Sequence, residues 1–228
     1  RFRQQLVAEY RMLDMLSGNQ QLLVRGGCGS GKSWYALEQA RRYAEKGMRV
    51  LFLVYNRAVT QVMREDAARS SFGLDGEIVV KNFEELAAYI MGESVKSISP
   101  APGATSGETQ TYYEETLPAQ VIDAMSNPSR IAALTKYDAL VVDEGQDHDT
   151  NLKEEIAHRY PHIACGWWSI YWQLLVNETE SPMAIFYDAA QRPVFRSNTE
   201  FEADKIKAFL SQPVYVTLSR SVRYTRPI

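Results

Sequence analysis

Residues 22–33 read Leu22-Leu23-Val24-Arg25-Gly26-Gly27-Cys28-Gly29-Ser30-Gly31-Lys32-Ser33: a short apolar run, a glycine-rich turn, then a helix-forming stretch. From Gly26 onward the segment fits G-x-x-x-x-G-K-[ST], the phosphate-binding loop pattern, and it stands between strand and helix as that loop requires. Gly26, Gly27, Gly29 and Gly31 let backbone N–H groups turn toward a polyphosphate, and the helix N-terminus behind Ser30 adds favourable partial charge. Lys32 is placed to reach the β- and γ-phosphates, and the Ser33 hydroxyl to ligate Mg²⁺. The expected ligand is therefore Mg²⁺ with ATP or a similar nucleotide.

Outward from this loop, further apolar runs recur at Val50–Tyr55, Ile78–Val80, Ala139–Val142, Ala184–Tyr187 and Val214–Leu218. They lack strict alternation and are rich in Val, Ile and Leu, which suits strands buried on both faces of a parallel sheet. Between them, helices are predicted over Glu9–Ser17, Ser33–Lys46, Ala58–Arg69, Phe83–Met91 and Phe201–Leu210. Strand and helix in alternation predict an α/β fold with a mostly parallel sheet flanked by helices. Residues 92–111 are rich in Ser, Thr, Gly and Pro and read as a surface loop, and 112–135 as a small helical insertion. The predicted division is 1–91 with 136–228 as one ATPase unit and 92–135 as the insertion.

The chain has 228 residues, 45% apolar and 23% charged, with a formal net charge of −3. That composition excludes collagen, low-complexity disorder and a disulfide scaffold. Cys28 and Cys165 stand far apart, no run suits a membrane span, and residues 1–20 do not resemble a secretion signal, so a cytoplasmic, reducing setting without a membrane partner is expected. The weak negative charge requires that any nucleic acid be held by a local patch.

A second signal is Asp143-Glu144-Gly145-Gln146-Asp147, directly after the run Ala139–Val142. A carboxylate at the carboxyl end of a buried strand, facing a phosphate loop, can hold Mg²⁺, so Asp143 joins Ser33 as a metal candidate. Glu144 is placed to polarise the water that attacks the γ-phosphate. Trp167, Trp168, Tyr171, Trp172 and Leu175 are spaced as one apolar helix face and read as core or interface. His148, His158 and His162 lack partners at metal-ligand spacing.

The phosphate loop, DEGQD, Tyr187-Asp188-Ala189-Ala190-Gln191 and Leu218-Ser219-Arg220-Ser221-Val222-Arg223-Tyr224-Thr225 resemble, in order, motifs of superfamily 1 helicases of the UvrD/Rep type. The resemblance spans about residues 4–228 and is nearest to helicase-like ATPases often joined to a nuclease-related domain. It implies a first RecA-like domain that hydrolyses ATP and moves along single-stranded DNA, with RNA as an alternative. Gln191 then resembles the residue that senses the γ-phosphate, Arg223 the arginine that contacts it, and Gln146 a link between hydrolysis and neighbouring motifs. Tyr55-Asn56-Arg57-Ala58 resembles a segment that touches the strand, with Asn56 and Arg57 as contacts. Asn82-Phe83-Glu84 stands where the family usually has Thr-Phe-His, leaving Phe83 as a contact, and Phe195 is of a type that stacks on bases. Glu9 occupies the place of an adenine-reading glutamine, and Ser221 and Tyr224 replace usual asparagines. With the chain ending at Ile228, the second RecA-like half is expected in cis or on a partner chain. The alternatives are a nucleotide-gated regulatory or binding module and an unrelated phosphate-loop enzyme such as a kinase; the DEGQD and D-x-x-Q pair argues against the latter.

Overall fold

The computed structural model describes residues 10–55, 57–148, 167–190 and 210–218. Strands β1 (Gln21–Gly26), β2 (Arg49–Leu53), β3 (Glu77–Lys81), β4 (Ala139–Val142), β5 (Met183–Tyr187) and β6 (Pro213–Leu218) each fall on one of the apolar runs, β2 ending two residues before the run Val50–Tyr55 does. They form one six-stranded sheet in the order β3-β2-β4-β5-β1-β6. Every pairing is parallel. This sheet, flanked by helices, is the α/β arrangement of RecA-like domains, as the sequence predicts.

Successive residues along the inner strands feed opposite faces, as the period of two demands. Leu23, Leu51, Leu53, Leu140, Val142, Met183 and Ile185 enter one core. Leu22, Val24, Val50, Phe52, Val141, Ala184 and Phe186 enter the other. The four inner strands are thus sandwiched between layers, which is why their sequences read as continuous apolar runs. The edge strands differ: β3 is half-exposed, and in β6 Val214, Val216 and Leu218 alternate with exposed Tyr215 and Thr217. An edge strand here has only one well-covered face.

The first layer contains α1 (Arg11–Met15), α2 (Lys32–Glu45) and α3 (Arg57–Ser70). On α2, Leu37, Ala40 and Ala44 are buried together with Tyr43, and the left-handed Gly47 follows the helix end. Gly76, at the entry to β3, runs against the chain that leaves α2, and a Cβ there would lie 2.3 Å from the Met48 oxygen and 2.6 Å from the Ala44 oxygen. Both neighbours are backbone, so Gly76→Ala should destabilise the chain by about 1–3 kcal/mol, the usual cost of overpacking; urea denaturation reads this directly.

The second layer contains α4 (Phe83–Met91), α6 (Leu117–Met125) and α8 (Trp167–Gln173). An Asn82–Glu85 capping box starts α4. Between α4 and β4, the structure departs from the predicted loop: α5 (Ser106–Thr111) starts on a Thr105–Glu108 capping box and runs through a π-turn (Tyr112–Thr116) into α6. Ile98 is buried, and the Tyr112 hydroxyl donates to its carbonyl. After α6, Asn127 caps α7 (Pro128–Ala133), whose Arg130 guanidinium donates to the Tyr89 and Ile90 carbonyls at the end of α4. The Thr105 cap thus makes a helix at the end of the stretch whose composition reads as loop, while the Asn127 cap and the Arg130 anchor lie in 112–135, which is helical as expected. Among the described residues, no helix is long and apolar enough to cross a membrane.

Candidate nucleotide site

All six strands point the same way, so the loops after β1, β4 and β5 lie together at one end of the sheet. Because β5 sits between β1 and β4, its following turn adjoins both the phosphate loop and the DEGQD turn. That end of an open parallel sheet is where ligands bind.

The phosphate loop closes on itself: the Ser30 N–H donates to the Gly27 oxygen at 3.1 Å, and the N–H groups of Trp34 and Tyr35 donate to the Gly31 oxygen at 3.0 and 3.1 Å. Gly31 caps α2 with φ 86°, a left-handed conformation that a side chain would strain. Lys32 opens α2 and is only 5% exposed. Its Nζ donates to the Gly27 oxygen at 3.3 Å, and lies 3.8 Å from Glu144 Oε2 and 3.9 Å from Asp188 Oδ2. The lysine thus lies between the loop and two carboxylates.

Asp143 is buried at the end of β4, with its N–H donating to the Leu53 oxygen. Burial pushes its carboxyl up to about 7; Glu144 adds to the rise, while the Ser33 hydroxyl bond and the Lys32 charge oppose it. Glu144 has φ 53°, unusual for a residue with a side chain, and begins the 3₁₀ turn Gly145–His148. A Cβ on Gly145 would lie 2.8 Å from Ile185, so the turn needs glycine to lie on β5.

Gln146 joins the two acidic turns. Its Nε2 donates to Glu144 Oε2 at 2.8 Å, and its Oε1 accepts from the Asp188 N–H at 2.9 Å. Asp188 Oδ1 in turn accepts from the Ala190 N–H at 2.9 Å, shaping the start of the D-x-x-Q segment. Three carboxylates, Asp143, Glu144 and Asp188, therefore surround one lysine. The Ser30 hydroxyl is buried without a hydrogen-bond partner among the described residues. A buried lysine, an unmatched hydroxyl in a glycine cradle and excess carboxylate together fit a polyphosphate bound with a divalent cation. Ser33 and Asp143 would supply the two protein ligands that suit Mg²⁺, which keeps its remaining positions for phosphate and water. Among the described residues, no group of three or more His, Cys, Asp or Glu has the geometry to hold a metal alone.

The structure brings together Gly26, Gly27, Gly29, Ser30, Gly31, Lys32, Ser33, Asp143, Glu144 and Gln146. Asp188 joins them; within D-x-x-Q it carries no expected role, although a carboxylate directly after a buried strand is the signal that could have found it. Gln191, Arg223, Asn56 and Phe195 lie outside the described residues, as do Glu9, Ser221, Tyr224 and the predicted helix Phe201–Leu210 apart from its last residue. Arg57 and Phe83 lie away from the phosphate loop, after β2 and β3. Phe83 packs edge-on against Trp167, with ring centroids 3.9 Å apart. His148 is buried, its Nδ1 2.8 Å from the Tyr171 hydroxyl, and is part of an aromatic cluster with Trp168.

A model of the family described as Schlafen group 3, DNA/RNA helicase domain, matches residues 19–223. No curated protein matches the chain.

Proposed function

The chain belongs to the Schlafen group 3 DNA/RNA helicase domain family, and from that premise we propose that it is the first RecA-like half of a superfamily 1 motor of the UvrD/Rep type. It binds Mg²⁺ and ATP at the phosphate loop and couples hydrolysis to movement on single-stranded DNA or RNA. Residues 1–91 and 136–228 form the ATPase unit, and 92–135 the insertion. The observation that carries this reading is the buried Lys32 held between Glu144 and Asp188 beside the unmatched Ser30 hydroxyl.

Lys32 exchanges these carboxylates for the β- and γ-phosphates, and the loop N–H groups orient the chain of phosphates. Ser33 and Asp143 would hold Mg²⁺, which would supply positive charge to neutralise the phosphate oxygens. Glu144, steadied by the Gln146 amide, takes the proton of the attacking water. Gln191 senses the γ-phosphate and Arg223 stabilises charge developing on it. A second RecA-like half, in cis or on a partner chain, closes the other side of the nucleotide cleft and supplies a further arginine to the γ-phosphate. Asn56, Arg57, Phe83 and Phe195 are the proposed strand contacts, and the setting is cytoplasmic.

The test is Mg²⁺-dependent ATP hydrolysis by the full-length protein, with and without oligothymidylate or oligouridylate. The motor reading expects strand-stimulated hydrolysis, lost in Glu144→Gln. Hydrolysis indifferent to every strand would support instead a nucleotide-gated regulatory module, a reading favoured by one observation: Arg57 is already ion-paired with Glu84.

A further inference from the structure

Three segments meet beyond the carboxyl ends of β2 and β3, at the same end of the sheet as the phosphate loop. Arg57 opens α3, Glu84 lies in the first turn of α4, and Tyr113 lies in the π-turn. Arg57 donates to Glu84 Oε2 through both Nε and Nη2. The Tyr113 hydroxyl donates to the other oxygen, Oε1, at 2.6 Å. Both carboxylate oxygens of Glu84 are thereby engaged, one by a cation and one by a neutral donor. The carboxylate is mostly covered, at 14% exposure, whereas the Arg57 side chain is 62% exposed.

A guanidinium binds carboxylate and phosphate through the same planar fork, so the two compete directly. Glu84 is the better-fixed partner. The Asn82–Glu85 capping box fixes the start of α4, and an acid in a first turn is favoured by the helix dipole. When Arg57 turns away, Glu84 still holds the Tyr113 hydroxyl and keeps its place.

We propose that Glu84 is a positioning residue that sets how tightly this face takes a nucleic-acid backbone: it occupies Arg57 in the free protein, and a strand phosphate must displace it. The proposal rests on the nucleic-acid part of the function proposed above. Tyr113 gives the 92–135 insertion its part in this, because its hydroxyl anchors the competing carboxylate.

The experiment is strand binding by the full-length protein, read by anisotropy of labelled oligothymidylate and oligouridylate across a salt series. Glu84→Gln should bind about fivefold tighter, the upper end of the range for an ion pair whose cation is largely exposed. The slope of log affinity against log salt should steepen by roughly 0.7, one additional phosphate neutralised on a single strand. Arg57→Ala added to Glu84→Gln should erase both changes, and Tyr113→Phe alone should give a smaller gain in the same direction. Wild-type binding with unchanged affinity and slope in Glu84→Gln overturns the inference and leaves the motor reading standing. So does a gain that survives the loss of Arg57. Absence of binding in every form, with hydrolysis indifferent to strand, overturns the nucleic-acid reading and this inference with it.

Discussion

Lys32→Ala is expected to lower ATP turnover by roughly 10²- to 10³-fold, the cost of removing one preorganised donor from a site of developing negative charge. The variant should also be less stable, because Lys32 is the cation among three carboxylates. The side chains of Lys32 and Asp188 are 4% and 5% exposed, and that of Glu144 31%. Removing one partner of such a buried group costs about 3 kcal/mol at a pH where the acids are ionised. The pH dependence has a definite sign. Asp143 already holds its proton up to about 7 in the folded chain, against 3.8 ordinarily. Between those values the folded state binds more protons than the unfolded one, so this group's contribution to stability declines as pH rises. Without Lys32, Asp143 is pushed further in that direction, because the positive charge that opposes its rise is gone. The melting-temperature deficit of Lys32→Ala should therefore be large at pH 8 and smaller at pH 6, while turnover stays low at both. An equal deficit at the two pH values would mean that the lysine contributes packing rather than charge.

The site was legible in the sequence wherever a single local rule determined it. The phosphate loop needs glycine at φ values that side chains resist, and the DEGQD turn needs glycine where it lies on Ile185, so both are visible as spacing. Strand positions were legible for a similar reason, since burial on two faces removes the polar residues that blur a run. What was hidden depends on neighbours distant in the chain. Asp188 acquires its role only because β5 inserts between β1 and β4, bringing it to Lys32. The Arg57–Glu84–Tyr113 cluster joins the ends of two strands to an insertion. The helix over Ser106–Thr111 is a different case. Its signal, Thr105-Ser106-Gly107-Glu108, was present as a capping box, and the surrounding Ser, Gly and Pro concealed it.

Trp167→Ala should be among the most damaging core substitutions, at about 3–5 kcal/mol. The indole is 2% exposed and belongs to the core that joins β1, β2, β4 and β5 to α4, α6 and α8. Its edge contact with Phe83, at an interplanar angle of 83°, adds to the area it buries; such pairs contribute about 0.5–1.5 kcal/mol beyond burial. At this chain length the loss corresponds to a melting-temperature drop on the order of 10 °C. Phe83→Ala combined with Trp167→Ala should fall short of the sum of the two single losses by about 1 kcal/mol, since both remove the same ring contact. Trp168→Phe should be milder than either, because its indole N–H is buried with no acceptor among the described residues, and phenylalanine removes that unmet donor. Additivity at Phe83 and Trp167 would show that α8 packs on the sheet without fixing the start of α4. Coupling would mean that the aromatic helix sets the position of Phe83 and, one residue on, of the carboxylate that holds Arg57.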